Sequence, residues 1–293
     1  MSTTPLIRRS VFWAVALGII LLLAALVIPC ISHVTARARR AVDASNLRQI
    51  GQAALIYASD HDDNLPPAAD VWDYARMIAN EGFLDVPRMW LSMNDPAADE
   101  MANIPTSTLI PGGTKPHPLA PAFRQLKPSV AVALGKLNSR MPATTPIAWT
   151  RGLQPDGTWS AHSPYGTSGG YIVFLAGNVA FYKNLTAADS QLVRFDGKGP
   201  TSNILEALPP GSLIGEYTPT PEEKTAWARS VLIEQKLGAL NAHAPLIFLV
   251  VLWLPFIAIS IYRLLKKRPG AFTVLLWPVF LSIILFVIMP DCW

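Results

Sequence analysis

The sequence predicts an α+β protein. A long N-terminal helix leaves a membrane and becomes the spine of a soluble domain, where it packs on a small antiparallel sheet. A transmembrane helical hairpin closes the chain. Three observations predict this. No charged residue occurs from Val11 to Ile31, and helical apolar spacing continues to about His61. Two β-rich runs meet at Gly177-Asn178 within Tyr171 to Tyr182. Two more uncharged runs, Leu246 to Tyr262 and Ala271 to Met289, flank a tight basic turn. A spanning helix needs about 20 residues, with a range of roughly 17–25.

The bulk numbers agree with a membrane-associated chain. Charged residues make up 15% of the 293, against about 25% in ordinary soluble domains. Mean hydropathy is +0.31. The formal net charge is +4. Its Lys and Arg sit mostly beside apolar runs, which reads as membrane-flank charge. No nucleic-acid-binding signature is present. The two cysteines, Cys30 and Cys292, form no C-x-x-C, so metal and redox motifs are absent.

In order along the chain, the first apolar run is too long for a signal-peptide core, so an uncleaved anchor is expected. Beyond it, Leu47, Ile50, Ala54 and Tyr57 recur at helical spacing. Pro66-Pro67 stops the helix. Asp60, Asp62 and Asp63 lack the glycine and distal glutamate of an EF-hand loop and read as a solvated helix end. A short helix is expected from Val71 to Glu81, loop over 101–128, and strands near Val130–Leu134 and Ile147–Trp149. Gly177-Asn178 signals a two-residue hairpin turn. Thr186 to Asp189 and Thr220 to Glu223 both fit a capping box, and the second, with Pro221 at its first position, predicts a helix to about Leu240.

Arg263, Lys266, Lys267 and Arg268 lie in the turn between the last two runs. The positive-inside rule places that turn in the cytoplasm. The N-terminus is then cytoplasmic, and residues 32–243 and the C-terminus are extracytoplasmic. Arg37, Arg39 and Arg40 oppose this orientation, and the hairpin decides it. Four regions follow: residues 1–66, anchor and helix; 67–215, an extracytoplasmic α+β domain; 216–243, a helical connector; 244–293, the hairpin. Cys30 and Cys292 fall near the same outer interface, where they either pair as a disulfide or pack as two small hydrophobes.

Asn46-Leu47-Arg48-Gln49-Ile50-Gly51, Tyr57, Asp60 and Pro66-Pro67, preceded by LAALVIPC, resemble the first helix of type IV pilin-like proteins, close to type II secretion pseudopilins. Gly82 to Trp90 with Asn94-Asp95-Pro96 is similar to that family's segment leading to a C-P-x-D-P box. His162, Gly169-Gly170 and FLAGNVAFY resemble its H…GG…FxDGHVxF hairpin. The resemblance implies a bacterial pilin-like architecture at the cytoplasmic membrane and partnership with other pilin-like helices. The departures are specific. Ser10 to Ala14 lacks the prepilin-peptidase glycine and glutamate, Ala176-Gly177-Asn178 replaces D-G-H, Ser92 or Met93 replaces the box cysteine, and two C-terminal apolar runs are added. Withdrawing those runs from a membrane costs on the order of 10–20 kcal/mol, which argues for a resident component over a filament subunit.

The expected function is therefore a non-catalytic, membrane-resident structural or accessory component of a secretion or envelope-assembly system. Its partners are membrane lipid and pilin-like helices, met through Leu47, Ile50, Ala54 and Tyr57 unless that stripe is the domain's own core. A membrane-tethered binding or sensor domain is the alternative. A chymotrypsin-like protease with Ser168 as nucleophile is a remote one, from Gly166-Thr167-Ser168-Gly169-Gly170, because no upstream histidine has the required surroundings. No catalytic residue, metal ligand, cofactor or small-molecule substrate is nominated.

Overall fold

The structure is a computed structural model and describes residues 34–97, 103–230, 232, 233 and 236. The chain divides into two compact units, and Ala38–Leu232 forms the one described below. The expected fold class is corrected in its membrane part. Among the described residues no helix is long and apolar enough to cross a membrane. The described helix over residues 34–60 (α1) carries Arg37, Arg39, Arg40, Asp43 and Arg48, and its buried residues lie on one stripe. That pattern belongs to an amphipathic helix lying on a core. The runs at 11–31, 246–262 and 271–289, with Cys30 and Cys292, lie outside the described residues.

A five-stranded antiparallel sheet organises the unit. Its strands are β1 (Val130–Leu134), β2 (Pro146–Thr150), β3 (Gly170–Phe174), β4 (Val179–Tyr182) and, after a short β5 (Leu192–Val193) and β6 (Pro200–Thr201) that pair with each other, β7 (Leu213–Gly215). The order is β4-β3-β2-β1-β7. Four strands form a meander, and the last returns to pair with the first. Every residue of β1 and β2 is buried, so both faces of the sheet's centre are covered. Their sequences, VAVAL and PIAWT, show no apolar–polar alternation for that reason.

The inner face of α1 lies on this sheet. Leu47, Ile50, Ala53, Ala54, Tyr57 and Ala58 are all buried. The approach is close at Gly51, where a Cβ would stand 2.8 Å from Val173 Cγ2 and 3.5 Å from Ile147 Cδ1. Glycine is what fits between helix and sheet here. The helix α2 (Val71–Asn80) follows, capped by Asp70, whose side chain accepts the Asp73 amide, and it packs on β1. Its Tyr74 is fully buried beside Trp90. The expected Val71 to Glu81 helix is borne out to within one residue.

Three sequence expectations need correction. The region 101–128 is not all loop, since Pro121–Arg124 forms a short helix (α3) that seats Phe123 in the core. The β3–β4 turn falls earlier than expected: Gly177 N donates to Phe174 O (2.8 Å), and Phe174 N to Asn178 O (3.1 Å). Gly177, at φ 80°, closes a three-residue loop in place of opening a two-residue one. Thr186 to Asp189 starts no helix, because Asn184 Oδ1 takes the amides of Thr186 and Ala187 into a turn. The other capping box is confirmed. Glu223 N donates to Thr220 Oγ1 (3.3 Å), Thr220 N donates to Glu223 Oε2 (2.8 Å), and residues 221–230 are helical (α4).

Candidate functional site

A continuous polar network joins α1 to α4 through the sheet's end. It starts at Asp43, one helical turn before the buried Leu47 on the same side of α1, so its carboxylate sits at the core's margin. Asp43 Oδ2 accepts from Ser92 Oγ (2.5 Å), Asn94 Nδ2 (2.9 Å) and Tyr165 Oη (2.5 Å). Burial first, then the Asp43 charge, pushes the Tyr165 hydroxyl well above its ordinary pKa, so it remains a donor. The Arg40 guanidinium lies 5.8 Å from the Tyr165 ring centroid and 5.6 Å from that of Phe181, within cation–π range.

The segment Ser92-Met93-Asn94-Asp95-Pro96 carries the network inward. Ser92 N donates to Ser129 Oγ (2.9 Å), and Ser129 Oγ donates to Asp95 Oδ2 (2.6 Å). Asp95 Oδ1 accepts from Ala97 N and from Arg151 Nη2, both at 2.9 Å. Both side chains of this ion pair have zero exposure. Further hydrogen bonds to a buried pair offset part of its desolvation cost. Arg151 Nη1 donates to Pro128 O (2.9 Å) and Nη2 to His162 O (3.2 Å), while the buried Nε finds no hydrogen-bond partner among the described residues.

Arg151 also meets α4. Its guanidinium carbon lies 4.9 Å from the Trp227 ring and 5.7 Å from that of Tyr217. Trp227 is 2% exposed, while most other residues of α4 are open to solvent. One turn earlier, Glu223 accepts from Tyr217 Oη (2.6 Å) and pairs with Lys127 Nζ (2.6 Å). Burial alone raises the Glu223 pKa, but the bonds from Lys127, Tyr217 and Thr220 outweigh it and hold the carboxyl at about 2. Nearby Glu216 accepts the Gly152 amide (3.1 Å), and burial pushes its pKa up.

These groups are engaged with one another through hydrogen bonds and ion pairs. The cavity beside Asp43, Ser92, Ser129 and Tyr165 is about 20 Å³, room for one water and too small for a substrate. No group of three or more metal-ligating side chains occurs among the described residues. The remote protease reading gains no geometry. Ser168 is exposed at the end of a 3-10 turn, Gly166–Ser168. His61 Nδ1 is bonded to Tyr57 O (2.8 Å) and its Nε2 lies 3.6 Å from Glu81. His162, its pKa lowered by burial and by Arg151, lends its carbonyl to Arg151. Gly169 and Gly170 have a packing role. A Cβ on Gly170 would meet the Trp159 ring at 2.5 Å, and the residue pairs with Tyr182 of the edge strand β4.

Leu47, Ile50, Ala54 and Tyr57, expected as a partner face, are 3%, 0%, 0% and 5% exposed. They belong to the unit's own core, and a partner helix has no access to them. Sequence reasoning quoted Asp95 within its box but passed over Asp43, Ser129, Arg151, Tyr165 and Trp227. One signal was available: Asp43 is an acidic residue in register with the apolar stripe. Compared with protein-family models, curated proteins and solved structures, the chain finds no match.

Proposed function

We propose that the chain is a non-catalytic, pilin-like structural or accessory component of a bacterial secretion or envelope-assembly system, resident at the cytoplasmic membrane with residues 32–243 on its outer side. One observation carries this reading. The Asn94-Asp95 box, part of the resemblance, is hydrogen-bonded back to Asp43 of α1, and α1 lies by its apolar face across the antiparallel sheet. A rigid unit built on one long helix is suited to being positioned by that helix. Because its inner face is occupied, partners meet the outward face, where Val42 and Ile56 are 53% and 44% exposed and Ser45, Arg48 and Gln52 face solvent.

Shearing intact cells and separating filaments from membranes tests the reading. Full-length chain remaining with the membrane fraction supports it. Recovery of intact chain in sheared filaments contradicts it.

A further inference from the structure

A second region has the shape of a binding site. Where α1 ends, a groove of about 750 Å³ opens between the α1–α2 connection and the β1–β2 connection, lined by Tyr57, His61, Asp62, Leu65, Lys136 and Asn138, with Asp60 at its edge. That volume falls within the roughly 300–1,000 Å³ typical of ligand sites.

The walls are stapled together. Leu65 N donates to Leu137 O (3.0 Å), Ser139 N to Asp63 O (2.8 Å) and Ser139 Oγ to Asp63 Oδ1 (3.0 Å). Asp63 also pairs with Arg140, and Asn64 bridges to Asn138. The His61 ring stacks parallel on Tyr57 with centroids 3.8 Å apart and an interplanar angle of 3°. Its Nδ1 bond to the Tyr57 carbonyl fixes it there. The groove thus has an apolar floor in Tyr57, Leu65 and Leu137, each buried, and a flat ring held at its side.

The rim mixes acceptors and donors. The carboxylates of Asp60 and Asp62 and the ammonium of Lys136 are exposed. No intramolecular side-chain partner is present for Asp62 or Lys136 among the described residues. Asp62 is held at φ 53°, a conformation that L-residues other than Asn and Asp rarely adopt. The two carboxylates repel a phosphate-bearing ligand, and a charged rim disfavours a wholly apolar one. Hydroxyl groups satisfy both kinds of rim group, since each donates to a carboxylate and accepts from an ammonium or amide.

We propose that this groove binds a neutral oligosaccharide. One sugar face lies against the fixed His61–Tyr57 pair, and its hydroxyls bridge Asp60 and Asp62 to Lys136 and Asn138. The site is independent of the pilin-like reading and stands or falls separately.

Calorimetric titration of the full-length chain, in a zwitterionic detergent without a sugar head group, tests it. The probes are cellotetraose, maltotetraose, tetraacetylchitotetraose and, as a cationic control, tetra-lysine. At least one neutral tetrasaccharide is expected to saturate a single site. Asp62→Gly and Lys136→Ala should each weaken it by about tenfold or more. Glycine suits the positive φ, so Asp62→Gly should not lower the thermal midpoint, and its binding loss is then not a folding loss. Absence of saturable binding by all three sugars, saturation by tetra-lysine alone, or unchanged affinity in both variants overturns the proposal.

Discussion

The carboxylate of Asp43 accepts the hydroxyl of Tyr165 at 2.5 Å across 122 residues of sequence. The bond ties α1 to the loop just before β3. The same oxygen also holds Ser92 and Asn94, so a single acidic side chain fixes two separate pieces of chain to one helix. From there the contacts run through Ser129, Asp95 and Arg151 to Trp227.

Replacing Asp43 by Asn keeps the shape and removes the charge that makes these bonds strong. Hydrogen bonds to charged groups are worth about 1.5–3 kcal/mol each, and the amide retains some of them. A net loss of about 1–3 kcal/mol is expected. It is read from the urea midpoint at unchanged slope.

Asp95→Ala leaves the Arg151 guanidinium charged with zero exposure. Removing one partner of a buried pair costs about 3–5 kcal/mol. The double variant Asp95→Ala with Arg151→Met should unfold closer to the parent than Asp95→Ala alone, because no buried charge is then left uncompensated. A four-member denaturation cycle gives the coupling.

Trp227 is the only described residue of α4 that is fully buried. Trp227→Ala should therefore release α4 locally while the sheet persists. Hydrogen exchange checks this: amides of residues 224–230 should lose protection, and those of β2 and β3 should not.

Two carboxyls give opposite pH dependences. Glu223 is held at about 2, below its ordinary 4.5. Its contribution is present above about pH 4.5 and lost as pH falls toward 2. Glu216 is raised by burial, so the folded state keeps a proton that the unfolded chain has released. Stability then falls as pH rises from 4.5 through the raised value. In thermal scans, Glu223→Gln should lower the midpoint at neutral pH and converge with the parent near pH 2. Glu216→Gln should raise the neutral-pH midpoint and converge near pH 4.5.

Much of the fold was legible where local chemistry decides it. Thr220-Pro221-Glu222-Glu223 carried its own helix start, and the apolar spacing of α2 marked that helix, to which the structure adds the Asp70 cap. The strands β5, β6 and β7 have two or three residues each, too short for alternation to register. The stripe Leu47, Ile50, Ala54 and Tyr57 announced that something covers it but not what, and tertiary packing supplied the sheet. Arg151 carried no signal in the sequence because its burial depends on Asp95, 56 positions away. Asp43 showed only its register with the apolar stripe, because its partners lie 49, 51 and 122 positions away.

In the proposed reading α1 uses its inner face for its own domain and offers its outer face to pilin-like partners. Photo-crosslinking in intact cells separates the two faces, with the photoreactive residue placed at Arg48 in one strain and at Ile50 in another. An intermolecular product with another pilin-like chain is expected from position 48, and only intramolecular products from position 50. Intermolecular products from position 50, or none from position 48, would contradict that reading.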